Sequence, residues 1–462
     1  MKDQTFDIIV IGAGVSGPII AHHAVSQGKS CLILEAGKFF YTQTFPRKEI
    51  DANSQLYWGG GIELNHNASL AVLRPKVVGG GSIVNQALLD RFDDMALEDF
   101  TKDSGVSFFN SDLMKPWYDK SEAGLSVQKI SPEYQNQNAR IFSEGLASLG
   151  YKFSPLTRAQ KNCQSIADND CINCLSGCSI NSKQSSLVTY LRKAFALGLK
   201  IYSEFEVSHI KTGEFIQIFG TNKKGEHLTF KAKKLVLASG AIGNSKILLN
   251  SGLKNKIPAL GEFLYTHPQY MILAEFNKEI HSHEGPLQTY KSDEPYFRKN
   301  GFKLENVFAP PVAISMLLPS IGSSFMKSMN NISKMASIEV AIRDTEPGAI
   351  RTKANKQFVI YKKLNQEDLK RKKMGFEIIH KIFHAQNAQK ITEGSLGIAL
   401  HLMGGCRIGT EYNKSVVTPD FNLQGHQNIF IADSSIFPNA PGINPSFTIM
   451  ALSHMACSRI IP

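Results

Sequence analysis

The stretch from Phe6 to Glu35 leaves a chain like this few folds to adopt. Phe6 to Ile11 (FDIIVI) is a short, β-branched apolar run, as expected of a strand buried on both faces of a parallel sheet. Gly12-Ala13-Gly14-Val15-Ser16-Gly17 follows at once, PIIAHHAVSQG reads as a helix, and Cys31 to Leu34 forms a second strand ending in Glu35. Together they compose the βαβ unit that binds dinucleotides. Gly12 permits the tight turn, Gly14 lets the backbone approach a pyrophosphate, and Gly17 lets the helix pack on the strand. The helix N-terminus favours the negative charge, and Glu35 offers a carboxylate to a ribose hydroxyl.

A second glycine run narrows the ligand. Val77-Val78-Gly79-Gly80-Gly81-Ser82-Ile83-Val84-Asn85 can lie flat against a planar ring system, and the Asn85 amide both donates and accepts. At the far end, His401 precedes the Gly404-Gly405 turn, and Asn444-Pro445 opens a helix predicted over Ser446 to Ile460. Asn444 is a good N-cap and Pro445 a preferred first helical residue. A histidine suits removal of a hydroxyl proton because its ordinary pKa of about 6.5 lies near neutrality. An asparagine can orient an oxygen but cannot act as a base.

Composition excludes other classes. With 462 residues the chain needs at least two domains, and 42% hydrophobic with 20% charged residues is ordinary globular usage. No apolar run is long enough to span a bilayer, and the first strand begins too early for a signal peptide, so cytoplasm is the default expectation. Peripheral membrane contact, or export with a partner, is compatible with the same sequence. The net charge of +11 comes without a nucleic-acid recognition motif and reads as a solvated basic surface. Oligomeric state is not legible.

Four of the seven cysteines, Cys163, Cys171, Cys174 and Cys178, lie close together. Their spacing suits an iron–sulfur cluster, zinc, or structural thiols or a disulfide, and does not choose among them. Phe308 to Met335 is apolar and Met-rich and reads as a hydrophobic tunnel wall, a membrane-interface segment or ordinary core. His267 and His454 read as structural histidines, Cys406 and Cys457 as core thiols. Further helices are expected near Ala139 to Leu149, Leu187 to Leu199 and Glu367 to Ile382.

The GxGxxG opening, GGGSIVN at Gly79 to Asn85, HLMGGC from His401 and NPSFTIMAL from Asn444 together resemble the glucose–methanol–choline (GMC) oxidoreductases. The second run is especially similar to cholesterol and long-chain alcohol oxidases. Gly240 to Gly252 is similar to another family signature, without its proline at Asn244-Ser245-Lys246. Gly261 to Pro268 resembles a third, with Phe263 and Thr266 replacing an amide and a carboxylate. The resemblance implies an α/β, Rossmann-like FAD-binding domain, discontinuous in sequence, plus an α+β substrate domain with an antiparallel sheet. On that pattern 1–92, 187–260 and 397–462 build the FAD domain, and 261–396 the substrate domain. Residues 93–186, with the Cys-rich loop 163–178, connect them.

The resemblance further implies FAD beside Gly79, Gly80, Ser82 and Asn85, held without a covalent bond because no histidine occupies the usual attachment position. It places adenine at the Val207 backbone and Asp433 near the pyrophosphate and ribityl chain, and Pro445 and Asn444 beside the flavin. His401 falls at the catalytic histidine position and Asn444 at its partner's. The implied activity is oxidation of an alcohol (lipophilic, sterol or sugar) by hydride transfer to FAD, with His401 as base. A protein or quinone would take the electrons onward in a dehydrogenase, dioxygen in an oxidase. A cyanohydrin-type lyase on the same scaffold and a non-catalytic nucleotide-binding module are the alternatives.

Overall fold

β1 (Thr5–Ile11) forms where FDIIVI predicts it, at the centre of the first of two sheets in the computed structural model, which describes residues 4–163, 171–353 and 357–461. β2 (Cys31–Leu34) and β9 (His227–Leu237) flank it in parallel, β6 (Lys200–Tyr202) extends the β2 edge, and β18 (Ile429–Ile431) pairs with β9. β7 (Phe205–Lys211) and β8 (Ile216–Asn222) complete the order β6-β2-β1-β9-β8-β7 as an antiparallel extension. The parallel centre is buried on both faces, which is why Val10, Leu34, Val236 and Ile431 are all apolar. The helix Gly17–Ser26 carries Pro18 in its first turn and packs on the buried C-terminal helix Ser446–Ile460.

The second sheet runs β3 (Glu63–Leu64), β4 (Leu70–Val72), β17 (Gly397–Met403), β10 (Glu262–Glu275), β13 (Met335–Ile342), β12 (Phe302–Asn306), β11 (Tyr290–Ser292), β5 (Phe153–Pro155). β14 (Gly348–Thr352) and β16 (Lys390–Glu393) attach at β10, and β15 (Phe358–Tyr361) pairs with β14. Two expected boundaries move. β3 and β4, inside 1–92, belong to this sheet, and so does β17, which begins the segment assigned to the FAD domain from 397. Strand pairing is non-local, so no composition change in the chain marks it.

Phe302, Leu304, Ile338 and Val340 point to one face of β12 and β13 and form a core with the helices Gln137–Ser148 and Gln366–Ala385. The longer helix starts at a capping box, Asn365 with Asp368, one residue before the predicted start. Two helices of the connecting stretch 93–186, Asp94–Ser104 and Ser111–Ala123, were hidden by their own caps. Asp93 accepts from Ala96 N and Asn110 from Leu113 N, so residues that look like breaks are helix starts. Leu187 to Leu199 instead divides into a π turn, Leu187–Leu191, and a short helix, Arg192–Ala196, before Gly198 at φ +85°.

The Met-rich segment folds as two short helices, Pro311–Leu317 and Gly322–Asn330. Ile314 and Leu317 join Met271, Leu273, Leu287 and Phe308 in a small core of their own, while Ile321 is 88% exposed. Among the described residues no helix is long and apolar enough to cross a membrane.

Candidate active site

His401 sits on an irregularity of β17. Tyr265 pairs with Met403 but His267 pairs with Leu400, so His401 and Leu402 together stand opposite Thr266. This is a β-bulge, and His401 takes φ +52°, a left-handed conformation a β-strand residue rarely adopts. Such strain persists only where neighbours hold it. Here the Thr266 hydroxyl donates to Leu400 O, and Thr266 N donates to Asp344 Oδ2 at 2.9 Å instead of to the strand. Asp344 is buried against Lys362, 2.9 Å away; burial pushes its carboxyl up to about 7 even against Lys362 and the Thr266 N–H.

The bulge turns His401 toward His267, whose Nδ1 lies 3.0 Å from Nδ1 of His401. The other nitrogen of His267, Nε2, accepts the Gly442 N–H at 2.9 Å. An N–H can only donate, so neutral His267 carries its proton on Nδ1 and gives it to His401 Nδ1. Neutral His401 then carries its proton on Nε2. Burial, reinforced by Lys303, depresses His401 to about 3 despite Asp90 nearby, and burial with His401 alongside depresses His267 well below its ordinary value. Both rings are uncharged at neutral pH. His267, read as structural, is in direct contact with the expected catalytic histidine.

Asn444 follows Gly442 by two residues, so His267 joins the segment Gly442–Asn444 to His401. The Asn444 amide donates to Asp90 Oδ2 at 3.1 Å and approaches Glu305 Oε1 at 3.5 Å. Its expected capping role is corrected: Pro445 occupies the N-cap position and the helix starts at Ser446 without a side-chain cap. Freed from the cap, the amide meets buried carboxylates. Burial opposes the charge on Asp90, but Lys303 and Lys291 hold it below the usual carboxylate range. Asp90, Lys303 and Glu305 were missed in the sequence. The available signal was the alternation of charged with apolar residues over Phe302 to Glu305 in FKLEN.

The nucleotide-binding residues converge from the other side. A Cβ on Gly12 would lie 2.3 Å from Ala238 O and one on Gly17 2.0 Å from Gly12 O, whereas one on Gly14 would meet nothing within 4 Å. Gly80, at φ +51°, packs on Gly14: its Cβ would stand 2.6 Å from Gly14 Cα. The Ser16 hydroxyl donates to Ala432 O, so no side chain caps the helix that Gly17 begins. Glu35 accepts from Ala13 N at 2.8 Å and Gly37 N at 2.7 Å; burial raises its pKa and these contacts offset part of that. Val207 lies on β7, whose first residue, Phe205, donates its N–H to Glu35 O. Val15, Ser82, Asn85, Ser446 and Met450 line one cavity.

An open face at Gly14, an uncapped helix start and an acid on the adjoining strand fit the pyrophosphate and ribose of FAD, and the cavity beyond them adjoins the Asn444 segment. Asp433 is buried and held by the protein on both oxygens. Its oxygens accept from Gly240 N, Asn244 Nδ2 and the N–H and hydroxyl of Ser435, so the side chain anchors the helix Gly240–Asn250. Its buried carboxyl is raised by desolvation.

Of the cysteines, Cys163 packs against Ile130 and Tyr134, and Cys178 Sγ accepts from Lys183 N. Cys174 and Cys178 are free thiols, and Cys163, Cys174 and Cys178 do not gather as a ligand set among the described residues; the Cys171 side chain lies outside them. His454 Nε2 is 2.9 Å from the Tyr190 hydroxyl, a packed position as expected.

A Rossmann-like sheet joined to a sheet-rich substrate domain, with a histidine on a bulge between them, defines a class of flavoprotein oxidoreductases. The chain belongs to the GMC oxidoreductase family: the family's N-terminal pattern matches residues 53–269 and its C-terminal pattern residues 326–453. An uncharacterized GMC-type oxidoreductase of Mycobacterium tuberculosis is 24% identical over 481 residues, covering 97% of this chain and 74% of its own. The long-chain-alcohol oxidase FAO4A of Arabidopsis thaliana is 26% identical over 506 residues, covering 98% and 68%. Among solved structures, pyridoxine 4-oxidase from Mesorbium loti superposes with TM-score 0.77 at 17% identity, covering 98% of this chain and 99% of its own. At that identity the likeness concerns the fold.

Proposed function

We propose that the protein oxidises the CH–OH group of an alcohol to a carbonyl, with His401 and Asn444 at the substrate oxygen. The observation that supports it is the joining of His401 to the Asn444 segment through His267, beside a cavity lined by Asn85, Ser446 and Met450. FAD, held without a covalent bond by Gly12 to Gly17, Glu35, Gly79 to Asn85 and the Val207 backbone, supplies the hydride acceptor.

His401 offers the substrate its Nε2, because Nδ1 is engaged by His267. In the tautomer held by Gly442 that nitrogen carries a proton and binds the alcohol oxygen as a donor. To accept the hydroxyl proton there, His401 must move its own proton to Nδ1, facing His267. His267 can receive that hydrogen bond only by yielding Gly442. Depression of His401 to about 3 keeps the ring neutral over the whole ordinary pH range but weakens it as a base compared with an ordinary histidine. Asn444, fixed by Asp90, limits the orientation of the oxygen.

Anaerobic mixing with alcohols tests this reading. Loss of the visible flavin band on adding substrate is expected; turnover with the flavin remaining oxidised would instead indicate a lyase. Peroxide formation in air distinguishes an oxidase from the dehydrogenase we favour, which passes electrons to a protein or quinone.

A further inference from the structure

The face of β11, β12 and β13 turned toward the site is not apolar. Lys291, Lys303, Glu305 and Glu339 occupy it, with Lys291 paired in register to Glu305 and Glu305 to Glu339. Lys303 Nζ lies 3.0 Å from Glu305 Oε1 and 3.8 Å from Asp90 Oδ2, and Lys291 Nζ 2.6 Å from Asp90 Oδ1. Gln288 donates to Glu305 Oε2 at 3.1 Å and to Glu339 Oε1 at 3.3 Å. Asp90, Glu305, Glu339 and Gln288 are each less than a tenth exposed.

Charges so deeply placed are costly, and apolar residues of similar size commonly stabilise a fold as well or better. The opposite face of the same strands follows that rule, with Phe302, Leu304, Ile338 and Val340. The ionic face reaches the reacting groups: Asn444 Nδ2 contacts both Asp90 and Glu305. Its Lys303 ammonium is sequestered from solvent and lacks a full set of acceptors.

We propose that Lys303, Glu305 and Asp90 determine specificity by recognising further hydroxyl groups on the carbons flanking the one oxidised, so that the substrate is a polyol or sugar rather than a fatty alcohol or sterol. A hydroxyl donates to a carboxylate and accepts from an ammonium, so neighbouring hydroxyls match this surface where methylenes would leave it unsolvated. The balance of charge favours a neutral molecule. Burial and the adjacent Glu305 raise the Glu339 carboxyl well above its ordinary value, and Lys291 and Lys303 stand against Asp90 and Glu305.

This assignment rests on the alcohol-oxidising reading above, and one experiment separates the two. The flavin-loaded enzyme is mixed anaerobically with D-sorbitol, myo-inositol and D-glucose, and separately with 1-dodecanol and detergent-dispersed cholesterol. Reduction by a polyol or sugar and not by the lipophilic alcohols is expected. Glu305→Gln, which preserves shape, should then raise KM for that substrate about tenfold or more with a smaller change in kcat, matching loss of one charged hydrogen bond. Reduction by dodecanol or cholesterol alone overturns the polyol assignment and leaves alcohol oxidation standing. Failure of every alcohol to reduce a flavin that dithionite reduces overturns the alcohol-oxidising reading, and this one with it. An unchanged KM in Glu305→Gln and in Lys303→Met, with the flavin spectrum intact, overturns the role given to these side chains.

Discussion

His267 holds His401 by its ring: Nδ1 lies 3.0 Å from Nδ1 of His401 while Nε2 accepts the Gly442 N–H at 2.9 Å. The partner on each nitrogen decides which tautomer the neighbouring ring adopts. The loop that carries Asn444 therefore also sets the hydrogen-bonding character of His401.

Replacement of His401 by alanine should lower kcat roughly 10²- to 10⁴-fold, the usual range for loss of a positioned acid–base group. The flavin spectrum should survive, since His401 is not among the nucleotide-binding residues. Turnover equal to that of the parent would eliminate His401 as the proton-handling group.

Replacing His267 separates positioning from packing. Asparagine can accept from or donate to His401, so His267→Asn should keep kcat within about tenfold. Leucine fills the space but leaves the His401 ring unanchored, and His267→Leu should lose about 10²-fold, the scale of a misplaced catalytic group. Equal rates in the two variants would reduce His267 to a packing residue.

The bulge depends on Asp344, which accepts the Thr266 N–H and pairs with Lys362. Lys362→Met removes the cation and leaves a buried carboxyl that takes up a proton, at a cost of about 1–3 kcal/mol. Urea unfolding of the two proteins checks this, and a difference below about 1 kcal/mol would contradict the importance of the pair.

Stability should fall with acid. Burial depresses His401 and His454 to about 3 and His267 well below its ordinary value, against about 6.5 when unfolded. The unfolded chain thus binds these protons first, so their stabilisation is complete above about pH 6.5 and is lost as pH falls toward about 3. Asp344 works in the opposite sense. Raised to about 7, it favours the fold most at low pH and loses that contribution as pH rises through about 7. Glu35, Glu339 and Asp433 are raised as well, but His22, His23, His283 and His426 are depressed like the other three rings, and seven histidines outweigh four carboxyls, so urea midpoints should drop between pH 7 and 5. A flat or rising profile would show that the rings titrate normally.

Gly80 lies against Gly14, and a Cβ there meets backbone at 2.6 Å with φ already at +51°. Gly80→Ala should therefore separate the two glycine loops and yield protein depleted of flavin. Absorbance of the purified variant reads this directly; full flavin content would mean that the loops do not jointly shape the site.

The nucleotide half of the site was legible because it is local: Gly12, Gly14, Gly17 and Glu35 lie within one βαβ unit, where each residue's conformational need can be read from its neighbours. His401 and Asn444 were legible as residue types in a familiar pattern. The Asn444 cap was misread because Asn-Pro is as good a helix entry one residue earlier, and only the pull of Asp90 and Glu305 on the amide decides between them. His267 and the ionic face of β12 and β13 were invisible for a different reason. A lone histidine, or FKLEN and SIEVAI in isolation, carries no mark of what lies opposite.

By itself, then, the sequence determined a βαβ unit of the dinucleotide-binding type and the glycines that shape its turns, since backbone sterics act between neighbours in the chain. Only the tertiary structure decided the tautomer of His401 and the polarity of the surface it faces. Those follow from strand pairing and one bulge, which bring together residues separated by more than a hundred positions, such as His267 and His401, 134 apart.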